Sequence, residues 1–277
     1  MNNTVLNIKI LYDKMGVAEK KIADFIMSNP SALIPLSISE LADKCGCGDA
    51  TVVRFARRLG FNGYQNLKIS LAKDVNITNL NENISKNDTA FKVLEKVCND
   101  VYCSLEKTKT IINKNALQDV CNAIIKADKI VVFGLGNSAS IAIDTTHKLL
   151  RLGLNSSCYT DNHMQAIASS HLRENDLVIG ISHSGSSKDI IQAMEIAKSV
   201  GATTVAITNF GKSPIYRASD YVLNTVADET NYTILGLTSR ISQLAIIDTI
   251  YSYLACNLNS AKTSIELTEQ ALQSKKY

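Results

Sequence analysis

The order of apolar and polar positions divides the chain into three stretches. Over the first 75 residues the apolar positions recur at helical spacing, in short runs that Gly and Pro interrupt. Ala18 to Ser28 carries Ile22, Phe25 and Ile26 on one side and stops at Asn29-Pro30, and a further start lies near Ser37. From Asn76 to Asp88, "NITNLNENISKND" is polar and weakly periodic, which predicts a linker. Thr89 to Ile112 returns to helical spacing, with Phe91, Leu94, Val97, Val101 and Leu105 apolar, and predicts a connecting helix.

Beyond Lys126 the period changes. "KIVVF" (129–133), "SSCY" (156–159), "DLVIGIS" (176–182), "TTVAIT" (203–208) and "YVLNT" (221–225) are short β-rich runs. All but the last two are separated by segments long enough for a helix. Runs of this kind predict strands buried on both faces, hence a five-stranded doubly wound parallel α/β sheet with helices on both faces. The chain closes with helices from about Ser239 to Leu258. The expected class is α plus α/β: an all-helical domain over 1–77, a linker and connecting helix over 78–118, the sheet domain over 119–262, and a tail over 263–277.

Composition adds bounds. A chain of 277 residues with 45% apolar content can bury a full α/β core beside a smaller module. Its seven cysteines make an odd number, and none is spaced with the four histidines as a zinc site requires, so reduced thiols and no metal or cofactor are expected. Cys45-Gly46-Cys47 reads as small residues filling a turn. The start, "MNNTVLNIKILYDKMG", lacks a basic, apolar and cleavable order, and no uncharged run is long enough to span a bilayer. These features predict a soluble cytoplasmic protein with no membrane partner.

The net charge of +3 is informative once divided by position. Residues 1–75 hold ten Lys or Arg against seven Asp or Glu, whereas residues 76–277 hold nineteen of each. Ala50 to Lys73 contains Arg54, Arg57, Arg58, Lys68 and Lys73 and no acid. One-sided charge of this kind is the footprint of phosphate-backbone binding.

The same stretch carries finer signals. Ser37 followed three residues later by Glu40 predicts a capping box and a helix from Ile38. Gly46 supplies a turn, and a second helix runs from about Asp49 to Leu59, with Gly48 at its cap and Gly60 at its stop. Two short helices about a glycine turn are helix-turn-helix geometry. Val52, Phe55, Ala56 and Leu59 share the inward side, while Ala50, Thr51, Arg54, Arg57 and Arg58 face outward. Arg54 and Thr51 are the candidates for base edges, and Arg57, Arg58 and Lys68 for phosphates. "ELADKCGCGDATVVRFARRLGFNGYQNLK" resembles the N-terminal helix-turn-helix of the RpiR family of bacterial transcriptional regulators over roughly the first 77 residues. Gly48 departs from it, standing where a serine cap is usual.

"ISHSGSSKD" (181–189) sets Ser182, Ser184, Ser186 and Ser187 around Gly185 where a strand gives way to a helix. A serine nucleophile, an anion cradle and an ordinary polar turn compete for it. The elbow G-x-S-x-G fails because the second glycine falls one place late, and S-x-x-K fails because Gly185 stands three before Lys188. Free N–H groups, the helix dipole, a glycine and several hydroxyls suit an anion. Ser138, in "GLGNSAS" after the first strand, can converge on the same crevice. That loop also satisfies a permissive dinucleotide fingerprint at Gly134, Gly136 and Ala139, with Asp161 as a ribose acid. Such a reading leaves the serine-rich turn unexplained.

"VFGLGNSASIA", "DLVIGISHSGSSKDII" and "ADETNYTILGLTSRISQLAIID" make residues 120–262 similar to the sugar isomerase (SIS) domain, which also occurs at the C-terminus of RpiR-family regulators. The resemblance implies that Ser138, Ser182, Ser184 and Ser187 hold a phosphate and that Glu229 borders the sugar. Gly136, Asn137, His183, Gly185 and Ser186 complete the candidate ligand-binding set. Glu229 with His147 or His183 leaves an aldose–ketose isomerase open as an alternative, and a nicotinamide enzyme stands behind it. A basic recognition helix is of no evident use to a catalyst. The expected function is therefore a transcriptional regulator, not an enzyme, whose affinity for double-stranded operator DNA is modulated by a phosphosugar. Helix-turn-helix proteins usually pair on half-sites, so a homodimer or homotetramer is expected.

Overall fold

The computed structural model describes residues 4–75, 84–227 and 237–275. In the N-terminal region the interrupted periodicity becomes α1 (Thr4–Leu11), α2 (Val17–Ser28), α3 (Pro30–Leu33), α4 (Ile38–Lys44), α5 (Asp49–Arg58) and α6 (Tyr64–Val75). Their shared core is Ile8, Ile22, Ile26, Leu33, Leu41, Val52, Phe55, Leu67 and Leu71. Helix α1 has no counterpart among the sequence expectations. Too short to show a period, it is held by burial of Ile8 and by the Asn7 amide, which donates to the Leu59 carbonyl at 3.1 Å.

The capping box is present: the Ser37 N–H donates to Glu40 Oε2 at 2.7 Å, and the Glu40 N–H to Ser37 Oγ at 3.2 Å. Helix α4 ends in a Schellman motif, with the Cys47 N–H bonded to the Ala42 carbonyl at 2.8 Å and the Gly46 N–H to Asp43 at 3.1 Å. The motif needs a left-handed residue, and Gly46 supplies it at φ +62°. Gly60 closes α5 in the same way. Helix α5 itself begins at Gly48 with no side-chain cap. By contrast α3, α4, α8 and α10 each begin under one, from Asn29, Ser37, Asn113 and Asp161 respectively.

Helix α7 (Ala90–Ile111) is the expected connecting helix. It leads to α8 (Lys114–Lys126) and the sheet unit: β1 (Ile130–Gly134), α9 (Asn137–Arg151), β2 (Ser156–Tyr159), α10 (Asn162–Ser170), β3 (Leu177–Ile181), α11 (Lys188–Ser199), β4 (Thr203–Asn209), β5 (Tyr221–Thr225), α12 (Leu237–Asn257) and α13 (Ala261–Gln273). The chain forms two compact units, one built on the N-terminal helices and one on the sheet. Helix α13 occupies most of the stretch expected to be a tail. Ala261 is buried, Ile265 packs on the sheet core, and Arg151 pairs with Glu269 at 2.6 Å, so this segment is ordered by long-range contact.

All five strands are parallel, in the order β2-β1-β3-β4-β5. Ile130 and Val132 of β1 face a core shared with α8, α9 and α12, while Val131 and Phe133 face one shared with α10 and α11. Both faces are thus covered, as the uninterrupted apolar runs require. The order reverses between β1 and β3, whose following helices leave toward opposite faces. A crevice opens beyond the carboxyl ends of strands at such a switch point, and ligands of open α/β sheets bind there.

Candidate DNA-reading helix and ligand crevice

On α5 the apolar side is fully inside, with Val52, Phe55 and Ala56 buried, and Ala50, Arg54 and Arg57 are exposed. Thr51 is half-buried, and Arg54 Nη2 donates to its Oγ1 at 3.3 Å, so these two residues form one polar patch a turn apart. Arg57 makes no ion pair among the described residues. Two of the expected phosphate contacts are placed otherwise. The Arg58 guanidinium turns back to pair with Glu19 at 3.3 Å and to donate to the Lys14 carbonyl. The Lys68 ammonium donates to the Leu36 carbonyl at 2.9 Å and lies 5.6 Å from the centre of the Tyr64 ring. Tyr64 Oη donates to that same carbonyl at 3.0 Å, and burial pushes its hydroxyl pKa up. Arg58 and Lys68 therefore brace α5 and α6 within the module, a role that sequence could not reveal because the partners are distant in the chain.

Cys45 and Cys47 fill the turn before α5. Burial pushes the Cys45 thiol up to about 11 and raises Cys47 as well. A thiol held neutral in this way is a packing group.

At the sheet, the register pairs Gly134 with Ile181, so the "GLGNSAS" and "SHSGSS" turns leave adjacent strands side by side, about 5 Å apart. Gly136 precedes α9 at φ +56°, and Gly136 and Asn137 are exposed. Ser138 is half-buried, and its hydroxyl has no partner among the described residues. Gly134 lets α9 start close to β1: a Cβ there would lie 2.4 Å from the Ser138 carbonyl oxygen.

The serine turn is tied down through its carbonyls. Ser182 is 5% exposed, and its carbonyl accepts from the Gly185 N–H at 3.1 Å. The His183 carbonyl accepts from the Asn209 N–H at 3.0 Å and from Thr208 Oγ1 at 3.2 Å. The Ser184 carbonyl accepts from Ser186 Oγ at 3.1 Å, and the Gly185 carbonyl from the Ile215 N–H at 3.0 Å. Four carbonyls are thereby satisfied by the protein, which removes their negative ends from the crevice. Ser186 also donates its N–H to Ser184 Oγ at 3.3 Å, so its polar groups shape the turn. Ser187 stands at the N-cap of α11 yet makes no cap hydrogen bond, so it is no ordinary capping serine. In α9 the Ser138 and Ala139 N–H groups already donate to the Leu135 and Gly136 carbonyls at 3.1 Å, whereas the first-turn amides of α11 and the Ser138 and Ser187 hydroxyls remain available to an anion.

Thr208 and Asn209, which pin this turn, are missing from the sequence candidates. Their only signal is the polar end of the otherwise apolar run "TTVAITN". Asn209 also holds the Ala227 N–H through Oδ1 at 3.0 Å. Glu229 lies outside the described residues. His147 is exposed on α9, ten residues past its start and so about 15 Å from the crevice, too far to act with His183. Asp161 Oδ1 accepts from the Met164 N–H at 2.9 Å and caps α10. Its carboxylate is thus engaged in a helix start, and the dinucleotide fingerprint loses its ribose acid.

A basic helix-turn-helix on the same chain as a doubly wound unit with an anion-suited crevice defines the class of ligand-responsive DNA-binding regulators. Residues 2–78 match the helix-turn-helix domain of the rpiR family, and residues 123–253 match the SIS domain. An uncharacterized HTH-type transcriptional regulator of Caldanaerobacter subterraneus subsp. tengcongensis is 31% identical, over 100% of this chain and 99% of its own. Another, from Thermotoga maritima, is 33% identical over 99% of this chain and 100% of its own. The solved structure of the Vibrio vulnificus NanR protein complexed with ManNAc-6P shares the fold, with a TM-score of 0.84 at 24% identity over 99% of both chains. The chain belongs to the RpiR family of HTH-type transcriptional regulators. These full-length relatives are named as regulators and not as enzymes, which favours the regulator over the isomerase and nicotinamide alternatives. No helix among the described residues is long and apolar enough to cross a membrane.

Proposed function

We propose that this chain is a cytoplasmic regulator that reads operator DNA through α5 and adjusts its affinity to a phosphorylated sugar held beyond β1 and β3. The reading rests on one observation above all: two turns with unused hydroxyls, one of them opening α11 with unused amides, meet at the switch point of a sheet whose chain also carries a basic recognition helix. The fold shared with a protein solved in complex with a sugar phosphate supports the ligand class. Residues 1–77 form the DNA-binding domain, 78–118 the connection, and 119–262 the sensing domain, onto which α13 packs.

Ala50, Thr51 and Arg54 face base edges, and Arg57 meets a phosphate. Ser138, Ser184 and Ser187 grip the phosphate with the first-turn amides of α11, on a turn shaped by Ser182, Gly185 and Ser186. Gly136, Asn137, His183 and Glu229 border the sugar. Two copies pair on a near-palindromic operator, as a homodimer or within a homotetramer. Because the sites are coupled through one chain, sugar and operator change each other's affinity by the same factor.

The test is a fluorescence-anisotropy titration on the promoter nearest the chain's own gene, repeated with hexose, pentose and amino-sugar phosphates. One of them should shift the operator affinity about 5- to 150-fold. Operator affinity indifferent to every phosphosugar overturns the sensing half of the proposal.

A further inference from the structure

We propose that the first turns of α12 form the far wall of the crevice and read the hydroxyl groups of the sugar, with the Gln243 amide and the Thr238 hydroxyl as the contacts. This rests on the crevice being a phosphosugar site.

The stripe of α12 that packs on the sheet is apolar at Ile246, Ile247, Ile250 and Leu254 and changes character toward its start. There Thr238, Ser239, Ser242 and Gln243 are 6%, 1%, 0% and 1% exposed. Ser242 Oγ is satisfied by Ser104 Oγ at 3.1 Å, but Thr238 Oγ1 and Gln243 Nε2 are buried with no partner among the described residues. An orphaned buried amide is costly, so its retention calls for a role.

Two independent contacts place this polar end at the crevice. Ser104 Oγ, which meets Ser242, also donates to the carbonyl of Val226, the residue after β5, so α12 starts at the carboxyl edge of the sheet. Lys148 Nζ bonds Asp248 at 2.6 Å, and each lies eleven residues past the first residue of its helix, so α9 and α12 begin level with each other. Packed helices stand about 8–10 Å apart, which a hexose phosphate can span.

Height along the sheet agrees. Ile247, Ile250 and Ile179 line one small apolar cavity and so stand at a similar height. Three residues further along β3 is Ser182, about 10 Å higher, and the same climb along α12 is about seven residues, which reaches the level of 240–243. Side chains on a helix lean toward its N-terminus, so Gln243 points up at the mouth and not down into the apolar core. An amide both donates and accepts, and so does a sugar hydroxyl. Among phosphorylated ligands, the wall therefore selects polyhydroxylated ones.

The test is calorimetry on the full chain with inorganic phosphate and with a panel of sugar 6-phosphates that includes N-acetylmannosamine 6-phosphate. Gln243→Met should leave inorganic phosphate affinity and the ligand-free melting temperature at or above those of the parent. It should weaken the preferred sugar phosphate about 3- to 10-fold. Thr238→Val, the smaller change, should act in the same direction. Parent-like affinity of both variants for that sugar phosphate overturns the proposal. So does a lowered melting temperature with phosphate and sugar phosphate weakened equally, which marks a packing role. A parent chain that binds neither probe overturns the phosphosugar reading itself, and this inference with it.

Discussion

Replacing Gly134 by alanine separates a rigid obstacle from a yielding one. The added Cβ would stand 2.4 Å from the Ser138 carbonyl oxygen and 2.8 Å from its carbon, roughly 1 Å inside ordinary contact. Both atoms are backbone at the start of α9, so relief requires the helix to retreat from β1. Overpacking of this kind costs about 1–3 kcal/mol. At about 2–4 °C per kcal/mol for a domain of this size, the melting temperature should drop by about 2–12 °C. The retreat carries the Ser138 hydroxyl and its neighbouring amides out of line with the serine turn, so phosphosugar affinity should fall about tenfold, while ligand-free DNA binding is spared. Gly180→Ala is the internal comparison. Its Cβ would come within 2.2 Å of Met194 Sδ, a nominally worse clash, but a thioether can swing aside. Thermal melts and calorimetry on both variants decide the matter. A Gly180→Ala protein as destabilised as Gly134→Ala, or a Gly134→Ala protein with parental melting and affinity, refutes the reasoning from backbone rigidity.

Arg57→Ala should weaken operator binding and reduce the slope of log affinity against log salt by about 1, whereas Arg58→Ala should lower the unfolding midpoint through loss of its Glu19 and Lys14 contacts and barely change that slope; equal slopes for the two variants would contradict the assignment. Ser184→Ala should weaken phosphosugar binding about 3- to 10-fold in calorimetry while operator affinity without ligand is retained, and an unchanged constant would remove this serine from the cradle. Burial holds the Cys45 thiol neutral up to about 11, whereas an unfolded thiol ionises near about 8.5. Its contribution to stability is therefore complete below about pH 8.5 and lost as pH rises toward 11. Denaturant midpoints measured between pH 7.5 and 10 should fall less steeply for Cys45→Ala than for the parent, and identical slopes would show that the thiol does not titrate with folding.

What could be read from the chain was local. The Ser37–Glu40 box, Gly46 and Gly60 act within one or two turns of their own helix, and they appear where the spacing placed them. Strands announced themselves because both faces are buried, which makes their apolar runs continuous. Convergence of the Ser138 and Ser184 turns was expected from the crevice in which open parallel sheets bind ligands. Partners far apart in sequence left no such trace. Nothing near Arg58 indicates Glu19, nothing near Lys68 indicates the Leu36 carbonyl, and Glu269 alone does not foretell Arg151. Asp161 had two chemically sensible uses, as a ribose ligand or a helix cap, and only the position of the Met164 amide distinguishes them.

Helices α3, α4, α8 and α10 start under a side chain that finishes them, but α5, α9 and α11 start at Gly48, Gly136 and an unbonded Ser187. Gly16 of α2 and Ser260 of α13 make no side-chain cap bond either, but of the unfinished starts those of α5, α9 and α11 are the ones that face operator and effector in the proposed function. Each guest then doubles as the absent terminal residue of a helix, and its arrival completes secondary structure that the gene left open. Saturating effector at a hundredfold excess over its dissociation constant should for that reason raise unfolding free energy by about 2.7 kcal/mol, with protection from hydrogen exchange concentrated at the first turn of α11.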